Sequence, residues 1–235
     1  MIIDFCAHYG DGPGVPSCYT PDELLRLEKS AGIDMAVASD LGDAFGDLCS
    51  DQATPDGLVR FAGVSPEYDA GRLDSARGVR LYPTYQEWDL DGPEMGDLLA
   101  VAREQGLIVQ FCLRLQDPRV LPQVVASGKV IEALDALIAA NTDIRFVVSG
   151  ANLAEIRGNT APFVRENVWT DISHLQHPIH SLTKLIGILG SSRLLFASNA
   201  PVFHPYMAVF RALNEAIGEE DRERVLWRNA KELLA

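Results

Sequence analysis

The sequence has no long apolar run, no basic run and few cysteines. Its 235 residues include 20 lysine and arginine residues against 33 aspartate and glutamate residues, a net charge of −13. Because nucleic acids and anionic membranes attract basic surfaces, this excess of negative charge argues against both as partners. The chain begins with a strand-like pattern that lacks a basic segment and a long apolar stretch, so we expect neither a signal peptide nor a membrane span.

Cysteine is too sparse for a disulfide scaffold. The four cysteines, Cys6, Cys18, Cys49 and Cys112, have neither the density nor the spacing of such a scaffold. We interpret them as reduced thiols, which favours a cytoplasmic location. The remaining composition, with 47% hydrophobic and 23% charged residues, is that of an ordinary globular protein.

Short apolar segments alternate with segments of helical periodicity along the whole chain. Eight strands that alternate with helices, without a long linker, predict one domain over residues 1–235, an α/β fold of the TIM (β/α)8 barrel type. The predicted strands are residues 1–6, 33–39, 58–64, 78–82, 107–113, 144–149, 167–173 and 193–198, and the clearest helices are residues 21–32, 94–106 and 130–141.

Polar side chains occur at strand positions that would face the interior of such a barrel. Arg80 and Tyr82 share one face of the fourth strand, and Arg114 follows the fifth. Active sites of these barrels lie at the carboxyl ends of the strands, and a guanidinium group binds a carboxylate through two hydrogen bonds. We therefore expect these three residues to contact an anionic small molecule. The alternative is an internal salt bridge with Asp4 or Asp171.

The first strand carries part of a metal-binding pattern. Asp4, Cys6 and His8 alternate in the segment IDFCAH (3–8) and would project to one side of a strand. Two histidines in this spacing would bind a metal ion, but a cysteine stands in the place of the first. Since a thiolate is also a zinc ligand, the replacement does not by itself exclude a metal.

Taken in order and spacing, several segments resemble the amidohydrolase-related family of TIM-barrel metal-dependent hydrolases, which includes decarboxylases of the aminocarboxymuconate-semialdehyde type. The resemblance covers nearly the whole chain. It implies hydrolysis or decarboxylation of a small, carboxylate-bearing molecule. The segments that carry it are IDFCAH (3–8), RFAGVSP (60–66), GVRLYPTYQEWD (78–89), GLIVQFC (106–112), RFVVSG (145–150), NVWTDIS (167–173), LLFASNAP (194–201) and RNAKELL (228–234).

The resemblance also implies a divalent-metal site, most of which this sequence has lost. The family uses a first-strand His-x-His, a fifth-strand histidine and an eighth-strand aspartate, and a sixth-strand histidine assists. By position these residues fall on Cys6, His8, Cys112, Asn199 and Gly150. Only His8 is retained, and Asn199 lacks the carboxylate that would act as the general base. A hard, oxygen-preferring ion has almost no ligands left, so we expect no bound metal cofactor.

Three interpretations of the two strand cysteines remain open. Cys6, His8 and Cys112 would form a zinc site with an open fourth position if both thiols ionise. One of the thiols would instead be a nucleophile with His8 as its base. Alternatively, both thiols are inert packing groups. Zinc is therefore the one metal for which a plausible ligand set remains.

The loops after the strands supply further candidates. The segment HLQHPIH contains His174, which we expect to contact the substrate, and His177 and His180, which we expect at the surface or at a helix start. His204 follows the eighth strand and would act as an acid or base over the barrel mouth. Trp88 would stack on a substrate or pack on a neighbouring loop.

The sequence thus supports two functions. The first is a hydrolase or decarboxylase, and the second is a non-catalytic barrel that binds a small molecule. A homodimer is compatible with such a barrel, although no sequence feature identifies its interface. For the enzyme, the catalytic candidates are His8, Asn199, Asp171 and His204, and the substrate-binding candidates are Arg80, Tyr82, Arg114, His174 and Trp88.

Overall fold

The computed structural model contains the eight parallel strands that the alternation predicts. It describes residues 1–15, 19–46, 54–67, 73, 75–175 and 180–235, and the predicted roles of Cys18, Cys49 and His177 therefore lie outside the described residues. The strands pair in chain order. They are β1 (Ile3–Tyr9), β2 (Met35–Asp40), β3 (Leu58–Gly63), β4 (Gly78–Leu81), β5 (Ile108–Cys112), β6 (Phe146–Ser149), β7 (Val168–Asp171) and β8 (Leu194–Leu195).

Helices follow most of the strands and begin and end at residues suited to these positions. In α1, the Thr20 side chain accepts a hydrogen bond from the Glu23 amide, and Glu23 accepts one from the Thr20 amide. Gly106 ends α3 in the left-handed conformation that glycine tolerates. The helices are α1 (Pro21–Ser30), α2 (Leu41–Phe45), α3 (Pro93–Gln105), α4 (Ser127–Ala140), α5 (Leu153–Gly158), α6 (Ser181–Leu189), α7 (Pro205–Asn214), α8 (Glu219–Glu223) and α9 (Asn229–Leu234).

The barrel closes between β1 and the segment that follows β8. The His8 amide donates to the Ala200 carbonyl at 2.8 Å, and the Asn199 amide donates to the Cys6 carbonyl at 2.9 Å. A closed barrel leaves no strand edge exposed, and the interior must be filled by side chains. No helix within the described ranges is long and apolar enough to cross a membrane.

Apolar side chains fill the amino-terminal half of the lumen. They come from nearly every strand, and α9 packs against them from below. Arg77 and Arg145 fix α9 there by donating hydrogen bonds to the carbonyls of Leu234 and Leu233. The lumen side chains of this half include Ile3, Phe5, Val37, Phe61, Ile108, Val147 and Leu195.

A bulge in β1 changes which of its residues face the lumen. The register of β1 against β2 shifts between Asp4 and Ala7. Phe5 packs in the amino-terminal half of the lumen, whereas the adjacent Cys6 packs beside Cys112 in the carboxyl-terminal half. Asp4 instead accepts hydrogen bonds from the backbone amides of Cys6 and Ser198 and from the Ser198 hydroxyl. The prediction that Asp4 shares a face with Cys6 and His8 is wrong, because strict alternation ends at the bulge.

Asp4 forms a buried acidic pair with Glu28 of α1. Glu28 is 1% exposed, and its carboxyl group interacts with that of Asp4. Burial raises the pKa of Glu28 well above its usual value, and the neighbouring charge of Asp4 raises it further. Burial raises the pKa of Asp4 as well. The folded protein therefore holds protons on this pair that the unfolded chain releases.

Replacing Glu28 with glutamine should make stability less dependent on pH. A raised pKa in the folded state gives a contribution that is fully present below the unfolded pKa, about 4.3, and is lost as the pH rises through the folded pKa. Each pKa unit by which folding raises the pKa of Glu28 lowers the free energy of unfolding by about 1.4 kcal/mol at high pH. We expect Glu28→Gln to raise the melting temperature at pH 8 and to change it little at pH 4.5.

The exposed Glu132 provides the control, because Glu132→Gln should not alter the pH dependence. Equal effects of Glu28→Gln at both pH values would contradict the assignment.

Candidate active site

The carboxyl-terminal half of the lumen contains a buried hydrogen-bonded network around His8. His8 Nε2 lies 3.0 Å from Asn199 Oδ1. On the other side of the ring, Nδ1 lies 3.3 Å from Arg80 Nη1 and 3.3 Å from the Tyr82 hydroxyl. All four side chains are fully buried. The fold thus brings together four of the residues that the sequence singled out.

The partners of His8 determine which ring nitrogen carries the hydrogen. Asn199 Nδ2 donates to the Leu115 carbonyl at 2.7 Å, which directs Oδ1 towards His8. An amide oxygen only accepts, so His8 Nε2 must donate. A guanidinium group only donates, so Nδ1 accepts from Arg80. Burial, followed by the charge of Arg80, holds the pKa of His8 well below its usual range. His8 is therefore a neutral imidazole with its hydrogen on Nε2.

Arg80 crosses the lumen from β4, and its guanidinium has no carboxylate partner among the described residues. Burial is complete. Because every one of its nitrogens already donates within the protein, Arg80 has no spare hydrogen for a ligand in this arrangement, and its contact with an anion stays a prediction. The alternative salt bridge with Asp4 or Asp171 is not formed either. The acceptors are the carbonyls of Phe5 (3.2 Å), Ala7 (2.6 Å) and Val37 (3.2 Å), Ser39 Oγ (3.0 Å) and Gln110 Oε1 (2.7 Å).

Removing Arg80 should destabilise the barrel strongly. Arg80→Met would remove a donor from each of the buried carbonyl oxygens of Phe5, Ala7 and Val37, so we expect the free energy of unfolding to fall by about 3 kcal/mol or more. Urea denaturation measures this change. Arg26 on the outer face of α1 is exposed, and Arg26→Met should change the free energy little. A loss from Arg80→Met no larger than that of the control would show that the network does not stabilise the fold.

Cys6, His8 and Cys112 also come together, and their donor atoms lie within 4.8 Å of one another. The hydrogen bond with Cys112, followed by burial, raises the pKa of Cys6 well above its usual value. A zinc ion here would have to displace the protons of both thiols while lying beside the permanent charge of Arg80. It would also require a bare His8 nitrogen, yet Nε2 donates to Asn199 and Nδ1 accepts from Arg80. The donor set therefore does not fit a divalent metal as these residues are arranged.

The sixth-strand position that a histidine would occupy has no room for a side chain. Gly150 has φ of +78°, and a Cβ atom on it would lie 2.9 Å from the Arg114 amide nitrogen. Both the left-handed conformation and the close approach favour glycine. The close packing of the Gly150 backbone against Arg114 therefore leaves no space for a histidine side chain at this position.

A cavity of about 710 Å³, here called the mouth cavity, opens at the carboxyl ends of β5, β6 and β7. Among the described residues, its lining contains the cations Arg114, Arg157 and Lys184 and one acidic residue, Asp117. His174 and Phe203 lie on the same wall, and their rings meet edge to face with centroids 5.4 Å apart. The volume is that of a small-molecule site. In a protein of net charge −13, this lining is unusually rich in cationic side chains.

Arg114 lines the mouth cavity but already has an internal counter-charge. Its two terminal nitrogens donate to Glu155 at 2.6 and 3.1 Å, and further bonds reach Ser127 Oγ and the Gly150 carbonyl. The salt-bridge alternative is therefore the one that the structure shows. The partner is Glu155 of α5, however, and not Asp4 or Asp171.

A chain of hydrogen bonds runs from the end of β7 to the mouth cavity. Asp171 Oδ1 accepts from the Ser173 amide at 3.0 Å and from the Ser173 hydroxyl at 2.6 Å. Ser173 Oγ lies 3.1 Å from His174 Nδ1. Burial raises the pKa of Asp171, whereas burial, followed by the charge of Arg114, lowers the pKa of His174 to about 3. His174 is therefore neutral at physiological pH.

Three other candidates have structural contacts. Trp88 is buried, and its Nε1 donates to Gln86 Oε1 at 3.0 Å, so it packs within the outer core, and stacking on a substrate stays a prediction. His204 is exposed, and its Nδ1 accepts the Tyr206 amide at 3.3 Å at the start of α7. His180 is exposed and lies before α6, as expected for a helix start.

Sequence reasoning missed two kinds of residue at the mouth cavity. Arg157, Lys184 and Phe203 lie on α5, on α6 and in the loop before α7, where exposed residues give no periodic signal. Ser173 did have a signal, because it stands between Asp171 and His174. A hydroxyl between a strand-end carboxylate and an imidazole is a pattern that can be recognised as one unit.

The barrel with its mouth cavity thus has the architecture of an enzyme or a small-molecule-binding protein. The model of the amidohydrolase family matches residues 29–235, and the chain belongs to this family. No curated protein matches the sequence.

Solved structures of similar fold cover almost the whole chain. The 5-carboxyvanillate decarboxylase LigW from Sphingomonas paucimobilis is 14% identical, with a TM-score of 0.74 and coverage of 99% of this chain and 98% of the relative. A dihydroxybenzoic acid decarboxylase from Polaromonas sp. JS666, with bound manganese and the inhibitor 2-nitroresorcinol, is 15% identical, with a TM-score of 0.71 and coverage of 99% and 96%. An amidohydrolase from Burkholderia multivorans with bound zinc is 14% identical, with a TM-score of 0.72 and coverage of 100% and 99%.

Proposed function

We propose that this protein binds a small carboxylate-bearing molecule in the mouth cavity and hydrolyses or decarboxylates it without a bound divalent metal. The observation that carries the proposal is the cationic lining of this cavity in a strongly acidic protein. Membership of the amidohydrolase family supports the reaction class, and two of the structural relatives are decarboxylases by name.

The exposed cations are the groups that would hold the carboxylate. Arg114 is neutralised by Glu155, and Asp117 is paired with Arg119. Arg157 is an exposed cationic side chain of the lining, and the exposed Lys184 adds a second positive charge to it. Positive charge in the lining of a cleft attracts a carboxylate, and a guanidinium group can bind it through two hydrogen bonds. His174 lies on the cavity wall and is linked through Ser173 to the buried Asp171, so a proton would be moved along this chain.

The metal-free part of the proposal rests on the state of His8. In the two relatives described with a metal, the ion is manganese or zinc. Here a divalent ion would have to displace the hydrogen bond from His8 to Asn199 and lie beside the permanent charge of Arg80. Coulomb repulsion in a buried setting makes that arrangement unfavourable.

We expect protein purified without added metal to contain far less than one zinc or manganese ion per chain. The direct measurement is elemental analysis, and a chelator should leave the melting temperature unchanged. About one zinc per chain that disappears in a Cys6→Ala and Cys112→Ala double variant would contradict the proposal and would make the three-residue zinc site the better interpretation.

Carboxylates should raise the melting temperature by mass action, because they bind the folded state only. We expect millimolar phenylacetate or propionate to stabilise the wild type, and the matching neutral amides to have no effect. The double variant Arg157→Met and Lys184→Met should lose most of the carboxylate effect, whereas Arg26→Met on α1 should keep it. Equal stabilisation of both variants would place the anion site elsewhere.

A non-catalytic binding protein is the second candidate, and the saturated network around His8 favours it. If the lumen network is only structural, ligands will bind in the mouth cavity without turnover. Prolonged incubation of the protein with each stabilising carboxylate, followed by mass spectrometry, separates the two functions. A hydrolysis product, or a product lighter by one carbon dioxide, supports the enzyme. Ligands of unchanged mass support the binding protein.

A further inference from the structure

The direction of the hydrogen bonds between Asp171 and His174 follows from their chemistry. Asp171 Oδ1 accepts the Ser173 amide as well as the Ser173 hydroxyl, so this oxygen is an acceptor and the Ser173 hydrogen points to it. Ser173 Oγ has no second hydrogen to donate, so it must accept from His174. His174 Nδ1 therefore carries the ring hydrogen, and Nε2 has a bare lone pair.

His174 Nε2 has no partner among the described residues, and it is buried. Leaving a buried acceptor unsatisfied costs about 1–3 kcal/mol, and such groups require an explanation. His174 is only 8% exposed, yet it lines the mouth cavity. The side chain beside it, Phe203, is half-buried in a loop, so its rotation would uncover the imidazole to a bound molecule. A ligand that brings a donor to Nε2 would recover the cost.

We propose that His174 Nε2 is a preorganised hydrogen-bond acceptor for the ligand, so that the mouth cavity selects carboxylates that carry a hydroxyl or N–H donor near the carboxylate group. Ser173 is the positioning residue, because it fixes the imidazole hydrogen on Nδ1. This inference rests on the proposed function, since it names the class of molecule that the same cavity takes. The low pKa of His174 agrees with it, because a protonated ring would have no lone pair to offer.

Matched ligand pairs test the selectivity on the full chain by calorimetry. Mandelate and phenylacetate, or lactate and propionate, differ by one hydroxyl beside the carboxylate. We expect the wild type to bind each hydroxy acid about tenfold more tightly than its partner, as one net hydrogen bond provides. His174→Phe should reduce this ratio to about one. His174→Gln, which retains an acceptor oxygen, should restore part of the ratio.

Two further variants separate positioning from a merely structural role. Ser173→Ala frees Nδ1, so the imidazole can move its hydrogen to Nε2, and the ratio should fall to between that of the wild type and that of His174→Phe. The exposed His180 provides the control, and His180→Asn should keep the wild-type ratio, since asparagine tolerates the φ of +61° found there.

Nitrogen NMR of the ring provides a test that needs no ligand. The wild type should show the hydrogen of His174 on Nδ1 and that of His8 on Nε2. A hydrogen on Nε2 of His174 would overturn the inference. Wild-type protein that binds both members of each pair equally would overturn it as well and leave the proposed function standing. If no carboxylate binds at all, the proposed function fails together with it.

Discussion

The fully buried guanidinium of Arg80 determines the arrangement of the carboxyl-terminal half of the lumen. Water cannot solvate it there, and no carboxylate neutralises it within the described residues, so it is stabilised by carbonyl and amide dipoles from three other strands. Because these carbonyl and amide oxygens all point towards the guanidinium, the hydrogen bonds link β1, β2 and β5 to β4 at one height along the barrel axis. The bulge of β1 contributes to this arrangement, because both Phe5 and Ala7 direct carbonyl oxygens to the same guanidinium.

The charge of Arg80 also determines what the neighbouring groups can do. Burial lowers the pKa of His8 most, and the charge of Arg80 lowers it further, because a second cation 3.3 Å away would be repelled in a medium of low dielectric. This charge would likewise repel a metal ion next to His8. Asn199 in the position of an aspartate fits this environment, since its amide accepts from His8 Nε2 and donates to Leu115 without taking part in any proton transfer. Two of the positions at which the resemblance implies metal ligands, His8 and Asn199, are therefore engaged with each other inside the protein.

The fold could be predicted from the sequence because strand periodicity and helix signals are local. All eight predicted strands are confirmed, and the three helices lie within a few residues of their predicted bounds. The side-chain partners were harder to predict because they depend on distant residues. Arg114 pairs with Glu155, which is 41 residues away, and the bulge that turns Asp4 out of the lumen has no glycine or proline to mark it. A cysteine or arginine at an inward position indicates burial, but its partners follow only from the registers of several strands.

The two buried histidines show how the same side chain can have opposite capacities in one barrel. His8 faces an amide oxygen that can only accept, so its hydrogen lies on Nε2 and both ring nitrogens are engaged inside the protein. His174 faces a serine hydroxyl whose hydrogen already points to Asp171, so its hydrogen lies on Nδ1 and Nε2 has no internal partner. The ring of His8 is thus saturated, whereas His174 keeps spare bonding capacity at the cavity wall. If the molecule acts on a ligand, the histidine with a nitrogen available for it is therefore the one at the mouth and not the one in the lumen.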